Sequence, residues 1–385
     1  MTPAARIAAA IELLDMIGAG QPAEQALTRW ARNNRYAGSK DRAAVRDHVF
    51  DVLRNWRSDA VRGGGDTGRA RMIGRLRAQG ADPDTLFTGK GYAPPELTET
   101  ERRSGSEPVA RADLWNLPDW LSEQFQDALG DAAGPTARAL CRRAPVTLRV
   151  NTSRTTRVAA QRALSEAGIA TEPNARAETA LTVIGGARRI KASSVYLDGL
   201  VELQDASSQA AVARLQGSGR VLDFCAGGGG KSLALAARGW AVTAHDASPR
   251  RMEDMTGRAR RGGHAITICA PADLPSSGTF DLVLCDAPCS GSGTWRRTPD
   301  AKWRLTPGGF QDLTTLQADI LDQARRHVAP GGTLAYATCS VLTPENDAQV
   351  AAFCARHAGW AVAQSEHWAV DETGDGFFLA LLTNG

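Results

Sequence analysis

The second half of the sequence predicts a protein of the α/β class with a doubly wound sheet. Short apolar strands alternate there with helical segments, which is typical of repeated strand–helix–strand units. One strand, Leu282–Cys285, has the continuous apolar character of a strand covered on both faces, and Asp286 and Cys289 follow it. A second strand ends in Cys339. Because open α/β sheets carry ligand and catalytic groups at these strand ends, the sequence predicts a reactive site there.

Bulk composition indicates a globular chain of two or three domains. The 385 residues are 43% hydrophobic and 23% charged, and the net charge of +3 permits a nucleic-acid partner without requiring one. The seven cysteines are odd in number and contain no Cys-x-x-Cys pair, which favours neither a disulfide framework nor a zinc site. No stretch is typical of a secretory or membrane-spanning segment. We therefore expect a cytoplasmic protein without a metal or a membrane partner.

Residues 1–90 are predicted to form an all-helical domain. A second helix is expected over Ser39–Trp56, with Ser39 as its N-cap. Its arginines, such as Arg42, fit either a solvated face or an RNA contact. Residues 91–116 are rich in Gly, Pro, Arg and Glu and are predicted as an interdomain linker. Within residues 1–90, the first helix precedes the one that begins at Ser39. It is indicated by apolar residues at helical spacing, namely Ala8, Ala9, Ile11, Leu13, Leu14 and Ile17.

Residues 117–205 are predicted to form a small α+β region, in which helices and strands alternate. Either Asp205 or Ser207 is expected to cap the helix that follows. The expected helices are one that follows Leu117–Leu121 and ends at Ala128, Pro135–Arg142 and Val158–Gly168. The expected strands are Val146–Asn151, Ala180–Ile184 and Ser194–Leu203.

Residues 206–385 carry the predicted doubly wound sheet. The tail Gly376–Leu382 is expected to add a last, antiparallel edge strand. The other expected strands are Val221–Phe224, Ala241–Asp246, Ala265–Ile268, Leu282–Cys285 and Leu334–Ala337. The expected helices are Lys231–Arg238, Pro249–Arg261, Gly309–Ala329 and Glu345–His357.

The segment Val221–Lys231 is predicted to be a strand, a glycine turn and a helix start that bind a cofactor. Its four consecutive glycines let a ligand approach the backbone. A Walker A loop does not fit because position 225 holds Cys, and a dinucleotide fingerprint does not fit because position 232 holds Ser. S-adenosylmethionine fits better, because Asp246 ends the next strand, where it would hold the ribose hydroxyls. Asp273, after the third strand, is either a contact to the adenine amine or a solvated loop carboxylate.

The two cysteines at strand ends have the chemistry needed to methylate cytosine at C5. That carbon is a poor nucleophile until a thiolate adds to C6, so the reaction needs an activated cysteine, an acidic group at the N3/N4 edge and a group that assists release. Asp286, Cys289 and Cys339 supply these types. An exocyclic amine is the alternative acceptor, but the turn Asp286–Cys289 lacks the aromatic residue typical of such sites. Unreactive, buried thiols are expected at Cys141, Cys269 and Cys285.

Several stretches together resemble the RNA 5-methylcytosine methyltransferases of the RsmB/Nop/Sun (Fmu) family, over roughly residues 117–382. One difference is that Gly227 and Gly228 replace the usual Ala-Pro of the first turn, which predicts a looser turn and mildly weaker cofactor binding. The matching stretches are Leu148–Asn151, Gln204–Gln209, Cys225–Lys231, Asp286–Ser290, Arg296–Trp303 and Tyr336–Val341.

The resemblance implies a role for each residue of the site. It makes Cys339 the nucleophile, Cys289 the residue that assists product release, and Asp286 both catalytic and cofactor-binding. The other implied cofactor contacts are Cys225, Ala226, Gly227, Gly228, Gly229, Gly230, Lys231, Asp246 and Asp273.

The resemblance also implies the substrate and the types of domain. Residues 1–90 look like a NusB-like RNA-binding domain, residues 117–205 like an RRM-like region, and residues 206–385 like a Rossmann-like methyltransferase domain. The implied function is S-adenosylmethionine-dependent methylation of cytosine C5 in RNA by a monomer, with 16S rRNA as the favoured substrate. The same chemistry on tRNA and a non-catalytic RNA-binding or ribosome-assembly factor are the alternatives.

Overall fold

Two units make up the protein, whose computed structural model describes all 385 residues apart from the side chain of Pro275. The helical unit contains Met1–Arg143 and Trp295–Thr306, and the sheet unit contains Ala144–Thr294 and Pro307–Gly385. This division differs from the predicted boundaries at 90, 116 and 205. It differs because residues 117–143 pack on the helices before them, for instance through Asn55 Nδ2, which donates to the carbonyl of Cys141 at 3.4 Å. The four-part division remains a prediction.

The helical unit begins with a capped amphipathic helix, as its apolar spacing predicts. Thr2 is the N-cap, its hydroxyl accepts from the backbone N–H of Ala5 at 3.2 Å, and Pro3 occupies the first helical position. The helix predicted from Ser39 does begin there, but Gly38 and not Ser39 is its N-cap. The α-helices of this unit are Pro3–Gly18, Ala23–Asn33, Ser39–Arg54, Trp56–Gly63, Gly68–Ala78, Glu99–Arg103, Arg111–Trp115, Asp119–Leu129, Ala133–Leu140 and Ala301–Arg304.

Two further segments are packed into this unit. Residues 91–116, predicted as a linker, contribute Leu97 to the helical core, and the Arg77 guanidinium donates to the carbonyl of Ser104 at 2.7 Å. Residues 295–306 lie between two strands of the sheet unit in sequence but belong to the helical unit. Trp303 Nε1 donates to the carbonyl of Leu53 at 2.9 Å. The family-like stretch Arg296–Trp303 is therefore part of the helical fold.

The sheet unit begins with a small antiparallel sheet. It contains β1 (Val146–Val150), β2 (Ala170–Pro173), β3 (Ala180–Gly185) and β4 (Val201–Leu203), in the order β2-β3-β1-β4. The helices Arg157–Glu166 and Ser194–Leu197 accompany it. The second of these corrects the prediction of a strand over 194–203, because the Ser193 hydroxyl accepts from the N–H of Tyr196 and starts a helical turn.

A mixed sheet forms the rest of the unit and confirms the predicted doubly wound architecture. Its strands are β5 (Arg220–Asp223), β6 (Ala241–His245), β7 (Ile266–Cys269), β8 (Phe280–Asp286), β9 (Val328–Thr338), β10 (Trp360–Trp368) and β11 (Phe377–Asn384). The order is β10-β11-β9-β8-β5-β6-β7, and β5 to β9 are parallel. The strand order reverses between β5 and β8, which is where doubly wound sheets bind ligands. The helices are Ala206–Arg214, Gly230–Ala237, Met255–Gly262, Pro307–Ala324 and Asp347–Arg356.

The large sheet is buried on both faces, as the apolar run in β8 predicts. Val283 and Cys285 pack in one hydrophobic core with Leu321, whereas Leu282 and Leu284 pack in the other with Leu235. No helix among the described residues has the length and apolar character needed to cross a membrane.

The tail strand is antiparallel, as predicted, but it is not at the edge. Strand β11 lies between β9 and β10, so β10 is the edge strand. The sequence analysis missed β10, most of whose side chains are exposed and whose residues do not alternate between apolar and polar. Two helix predictions were also too long, because 3₁₀ turns replace their ends at Pro249–Met252 and Arg325–His327.

Candidate active site

The two strand-end cysteines meet in the structure. Strands β8 and β9 are parallel neighbours, and their register pairs Asp286 with Ala337. The loops that follow the two strands therefore leave the sheet at the same point. The Sγ atoms of Cys289 and Cys339 are 3.4 Å apart. The two loops are also joined by the N–H of Gly293, which donates to the carbonyl of Cys339 at 2.9 Å. The structure thus brings together the two predicted thiols.

The environments of the two thiols differ. The pKa of Cys289 is raised well above its usual value, first by its hydrogen bond to Cys339 and then by burial. The pKa of Cys339 is lowered, first by its hydrogen bond with Cys289. Burial and Asp286 oppose this change, and the Lys231 ammonium favours it. Thr294 Oγ1, at 4.0 Å, is a further donor to the Cys339 sulfur. Cys339 is therefore the more acidic of the two thiols.

Asp286 ends β8 and is paired with a half-buried lysine, Lys231. Its Oδ2 accepts from Lys231 Nζ at 2.6 Å. Burial alone would lower the pKa of Lys231, but the Asp286 carboxylate, with Asp223 and Cys339, outweighs burial, so the pKa is raised. The same ammonium lies 4.9 Å from the centre of the Phe377 ring. Sequence reasoning named Lys231 only as a cofactor contact and missed that it pairs with Asp286.

The glycine turn after β5 adopts backbone conformations that favour glycine. Gly227 and Gly229 have φ values of +51° and +80°. A side chain at Gly229 would lie within 2.9 Å of Met255. The described turn runs from Cys225 to Gly229, and Gly230 begins the helix that carries Lys231. The predicted cofactor residues Cys225–Lys231 therefore form one continuous turn and helix N-terminus.

Charged side chains hold this turn from several sides. Asp246 Oδ2 accepts from the N–H of Gly227 at 2.9 Å and pairs with Arg251 at 3.0 Å. The Arg258 guanidinium donates to the carbonyl of Gly228. Arg149, from β1 of the small sheet, donates to the carbonyl of Gly230 at 2.7 Å. The roles of Arg258 and Arg149 were not predicted, because their partners in this turn are backbone carbonyls, which leave no sequence signal.

A cavity of about 980 Å³ opens beside the turn, at the ends of the parallel strands. This volume suits a ligand of nucleotide size. Asp273 is exposed on the loop after β7, whereas its neighbours Pro271 and Leu274 line the cavity. Other lining residues include Phe224, Cys225, His245, Asp246, Ile320 and His327.

A buried carboxylate near the turn has spare hydrogen-bonding capacity. Asp223 ends β5, and its Oδ2 accepts from Ser232 Oγ at 2.6 Å. Its Oδ1 has no hydrogen-bond partner among the described residues. Burial is the main cause that raises the pKa of Asp223 to about 7. The next residue, Phe224, lines the cavity, and an unpaired buried acceptor next to it fits a ligand that brings its own donor, such as the amino group of S-adenosylmethionine.

The family models match most of the sheet unit. The model described as 16S rRNA methyltransferase RsmB/F matches residues 210–383, and the RsmF/B-like ferredoxin-like domain model matches residues 117–188. The second match overlaps the region predicted as RRM-like.

Known proteins resemble the chain in sequence and in fold. Ribosomal RNA small subunit methyltransferase B of Salmonella arizonae is 31% identical over 89% of this chain and 90% of its own length. The enzyme of the same name from Serratia proteamaculans is 33% identical over 69% of this chain and 66% of its own length.

Two crystal structures share the fold. That of PH0851 superposes with a TM-score of 0.79 at 22% identity and covers 100% of this chain and 99% of its own. That of NSun6 from Pyrococcus horikoshii has a TM-score of 0.61 at 16% identity and covers 69% of this chain and 98% of its own. The sequence similarity to the Salmonella enzyme over about nine-tenths of both chains, together with the family models, confirms the predicted family: the chain belongs to the RsmB/F family of 16S rRNA methyltransferases.

Proposed function

We propose that this protein transfers a methyl group from S-adenosylmethionine to C5 of a cytosine in RNA, with 16S rRNA as the substrate. The observation that carries the proposal is the contact of two unlike thiols, Cys289 and Cys339, 3.4 Å apart beside Asp286. Cytosine C5 becomes nucleophilic only while a thiolate is bonded to C6, so a lowered thiol pKa is the property that this reaction needs.

The residues around the cavity fit S-adenosylmethionine. The turn Cys225–Lys231 would hold it through the backbone, with Asp246 at the ribose, Asp273 towards the adenine and Asp286 nearest the reacting groups. The unpaired Oδ1 of Asp223 supports the fit, because a buried acceptor without a donor is costly. When bound, S-adenosylmethionine supplies an electrophilic methyl group.

The chain's own residues carry the remaining steps. The Cys339 thiolate forms a bond to C6 of the cytosine, which makes C5 an enamine carbon. Asp286, oriented by Lys231, lies at the N3/N4 edge of the base. After C5 has been methylated, water takes the C5 proton, and the electrons of that C–H bond re-form the C5–C6 double bond. The C6–sulfur bond breaks, and its electron pair returns to Cys339. Cys289 donates its hydrogen bond to that sulfur, and so stabilises the leaving thiolate.

The protein would work as a monomer in the cytoplasm, and residues 1–90 would serve as a NusB-like RNA-binding domain. The names of the relatives, ribosomal RNA small subunit methyltransferase B, support 16S rRNA over tRNA. Bisulfite sequencing of 16S rRNA and tRNA from a deletion strain tests this choice. We expect one rRNA cytosine to become unprotected and to be protected again by the gene for the wild-type protein. Loss of protection in tRNA instead would reject the rRNA assignment.

A further inference from the structure

A buried carboxylate, Glu345, is hydrogen-bonded to both cysteine loops. Glu345 is 0% exposed, and it ends the 3₁₀ turn Thr343–Glu345, which follows the loop after β9. The described partners of its carboxylate are neutral donors on Ser290, Gln317 and Ser340. The hydrogen bonds from these neutral groups offset the cost of burying the carboxylate. Its main effect is therefore to fix the positions of its partners, and it adds little net stability.

The two partners nearest the thiols hold equivalent positions. Ser290 directly follows Cys289, and Ser340 directly follows Cys339. Glu345 Oε1 accepts from the backbone N–H of Ser290 at 2.7 Å, and Oε2 accepts from the Ser290 hydroxyl at 2.5 Å. The same Oε2 accepts from the Ser340 hydroxyl at 2.5 Å. One carboxylate therefore fixes the residue after each thiol.

The surrounding hydrogen bonds prevent this carboxylate from moving. Gln317 Nε2 donates both to Glu345 Oε1 and to the carbonyl of Pro288, each at 3.0 Å. The Tyr336 hydroxyl donates to the carbonyl of Glu345 at 2.7 Å. Both the side chain and the backbone of Glu345 are thus tied to the core of the sheet unit.

We infer that Glu345 is a positioning residue that sets the separation of Cys289 and Cys339 by holding Ser290 and Ser340 on one carboxylate. The inference rests on the proposed function, in which the Cys339 sulfur bonds to C6 of the cytosine and the Cys289 thiol donates a hydrogen bond to that sulfur. Because a misplacement of about 1 Å can slow a reaction about 100-fold, a small shift of either loop would impair the pair.

Position and charge can be separated by the choice of variant. Lys231 and Asp286 are the charged groups that face Cys339, and Glu345 is the one that faces Cys289. Glu345→Gln keeps the side-chain shape and one acceptor oxygen but removes the charge, and the serine hydroxyls can rotate to accept from the new amide. Glu345→Ala removes both. Asp347→Asn is the matched control, because Asp347 is half-exposed and contacts His367.

The first test needs no RNA. Copper–phenanthroline oxidises two adjacent thiols to a disulfide and takes up their two electrons, and mass spectrometry of the full-length protein quantifies the linked Cys289 and Cys339 peptides. We expect Glu345→Ala to slow this cross-link about tenfold or more, because the loops lose their common anchor and the effective concentration of the thiols falls. Glu345→Gln should stay within about threefold of the wild type, since it preserves the shape of the anchor.

The second test measures the rate of the covalent protein–RNA adduct on an rRNA fragment that contains 5-fluorocytosine, which cannot lose a C5 proton. Glu345→Ala should lower this rate about 100-fold, while S-adenosylmethionine affinity by calorimetry is unchanged. Glu345→Gln should restore most of it. If the wild type forms no adduct, the proposed function fails, and the cross-linking rates still decide the role of Glu345.

Folded Glu345→Ala protein with wild-type rates of cross-linking would overturn the inference. If that variant does not fold, Ser340→Ala carries the test, because it removes a single hydroxyl from the same carboxylate. We expect Ser340→Ala to slow the cross-link by about threefold or more, in line with the loss of one charge-assisted hydrogen bond. A cross-linking rate equal to that of the wild type in this variant contradicts the inference.

Discussion

The Sγ atoms of Cys289 and Cys339 lie 3.4 Å apart, although 50 positions separate the two residues in the sequence. Parallel pairing of β8 with β9 creates this contact, because both strands end at the same edge of the sheet. The contact is unequal: it raises the pKa of Cys289 and lowers that of Cys339. A pair in which one thiol ionises and the other keeps its proton can divide two chemical roles between the two residues.

Cys339→Ala should abolish methyl transfer and leave cofactor binding near normal. The variant removes the thiolate that is proposed to bond to C6, whereas the turn Cys225–Lys231 that would hold S-adenosylmethionine is untouched. Transfer of labelled methyl groups to rRNA and calorimetric binding of S-adenosylmethionine measure the two properties. Residual transfer close to the wild-type rate would assign the nucleophile elsewhere.

Cys289→Ala should accumulate a covalent protein–RNA adduct. The variant keeps Cys339 but removes the donor that stabilises it as a leaving thiolate. The adduct should appear as a shifted band on a denaturing gel and should disappear in the double variant with Cys339→Ala. If the adduct instead requires Cys289 and survives Cys339→Ala, the two roles are reversed.

Lys231→Met should shift the ionisation of Cys339 to higher pH. The Lys231 ammonium lowers the pKa of the Cys339 thiol. Removing the ammonium also leaves Asp286 without its ion-pair partner, and the Asp286 carboxylate raises the pKa of the thiol. Both effects have the same sign, so the midpoint of iodoacetamide alkylation against pH should rise by about one pH unit or more. Lys191→Met, at an exposed lysine, is the control and should leave the midpoint unchanged.

The strand-end site could be predicted because its signals are local. An apolar run ending in Asp286 and a second strand ending in Cys339 identify the sheet edge, and four glycines identify the cofactor turn. Strand β10 gave no such signal, because its side chains are mostly exposed. The antiparallel tail was predicted, but its interior position depends on pairing with β10.

The hydrogen bonds that position the site could not be predicted. Glu345 acts through Ser290, 55 positions away, and Arg149 acts through the carbonyl of Gly230, 81 positions away. Neither contact follows from periodicity, because serine hydroxyls and backbone carbonyls are present throughout the sequence. Only the folded chain shows which of them face a buried charge.

Arg149→Met should weaken binding of S-adenosylmethionine. The guanidinium holds the carbonyl of Gly230 at the end of the glycine turn, and methionine fills a similar volume without donating. We expect the Kd from calorimetry to rise about tenfold, which equals about 1.4 kcal/mol. Arg154→Met, at an exposed arginine of the same region, should leave the Kd unchanged. Equal affinities for all three proteins would show that the turn does not need this contact.

Asp59 of the helical unit should make stability depend on pH. Its carboxylate is fully buried, neither oxygen has a hydrogen-bond partner among the described residues, and Arg75 Nη1 lies 3.8 Å away. Burial raises the pKa of Asp59 from 3.8 to about 7, against the weaker opposing effects of Arg75 and Arg62. Because the folded state holds the Asp59 proton more tightly than the unfolded state does, this proton contributes to the free energy of unfolding. That contribution is fully present below pH 4 and is lost as the pH rises towards 7.

Asp59→Asn should therefore stabilise the helical unit at pH 8 and have little effect near pH 4. The pKa difference between 3.8 and about 7 sets an upper bound of about 4 kcal/mol on the gain at pH 8. Urea unfolding of the full-length protein at both pH values, followed by tryptophan fluorescence, measures it. Asp66→Asn is the control, because it removes one carboxylate of the same unit whose side chain is 90% exposed. A gain of the same size at both pH values would mean that packing, and not the buried charge, explains the effect.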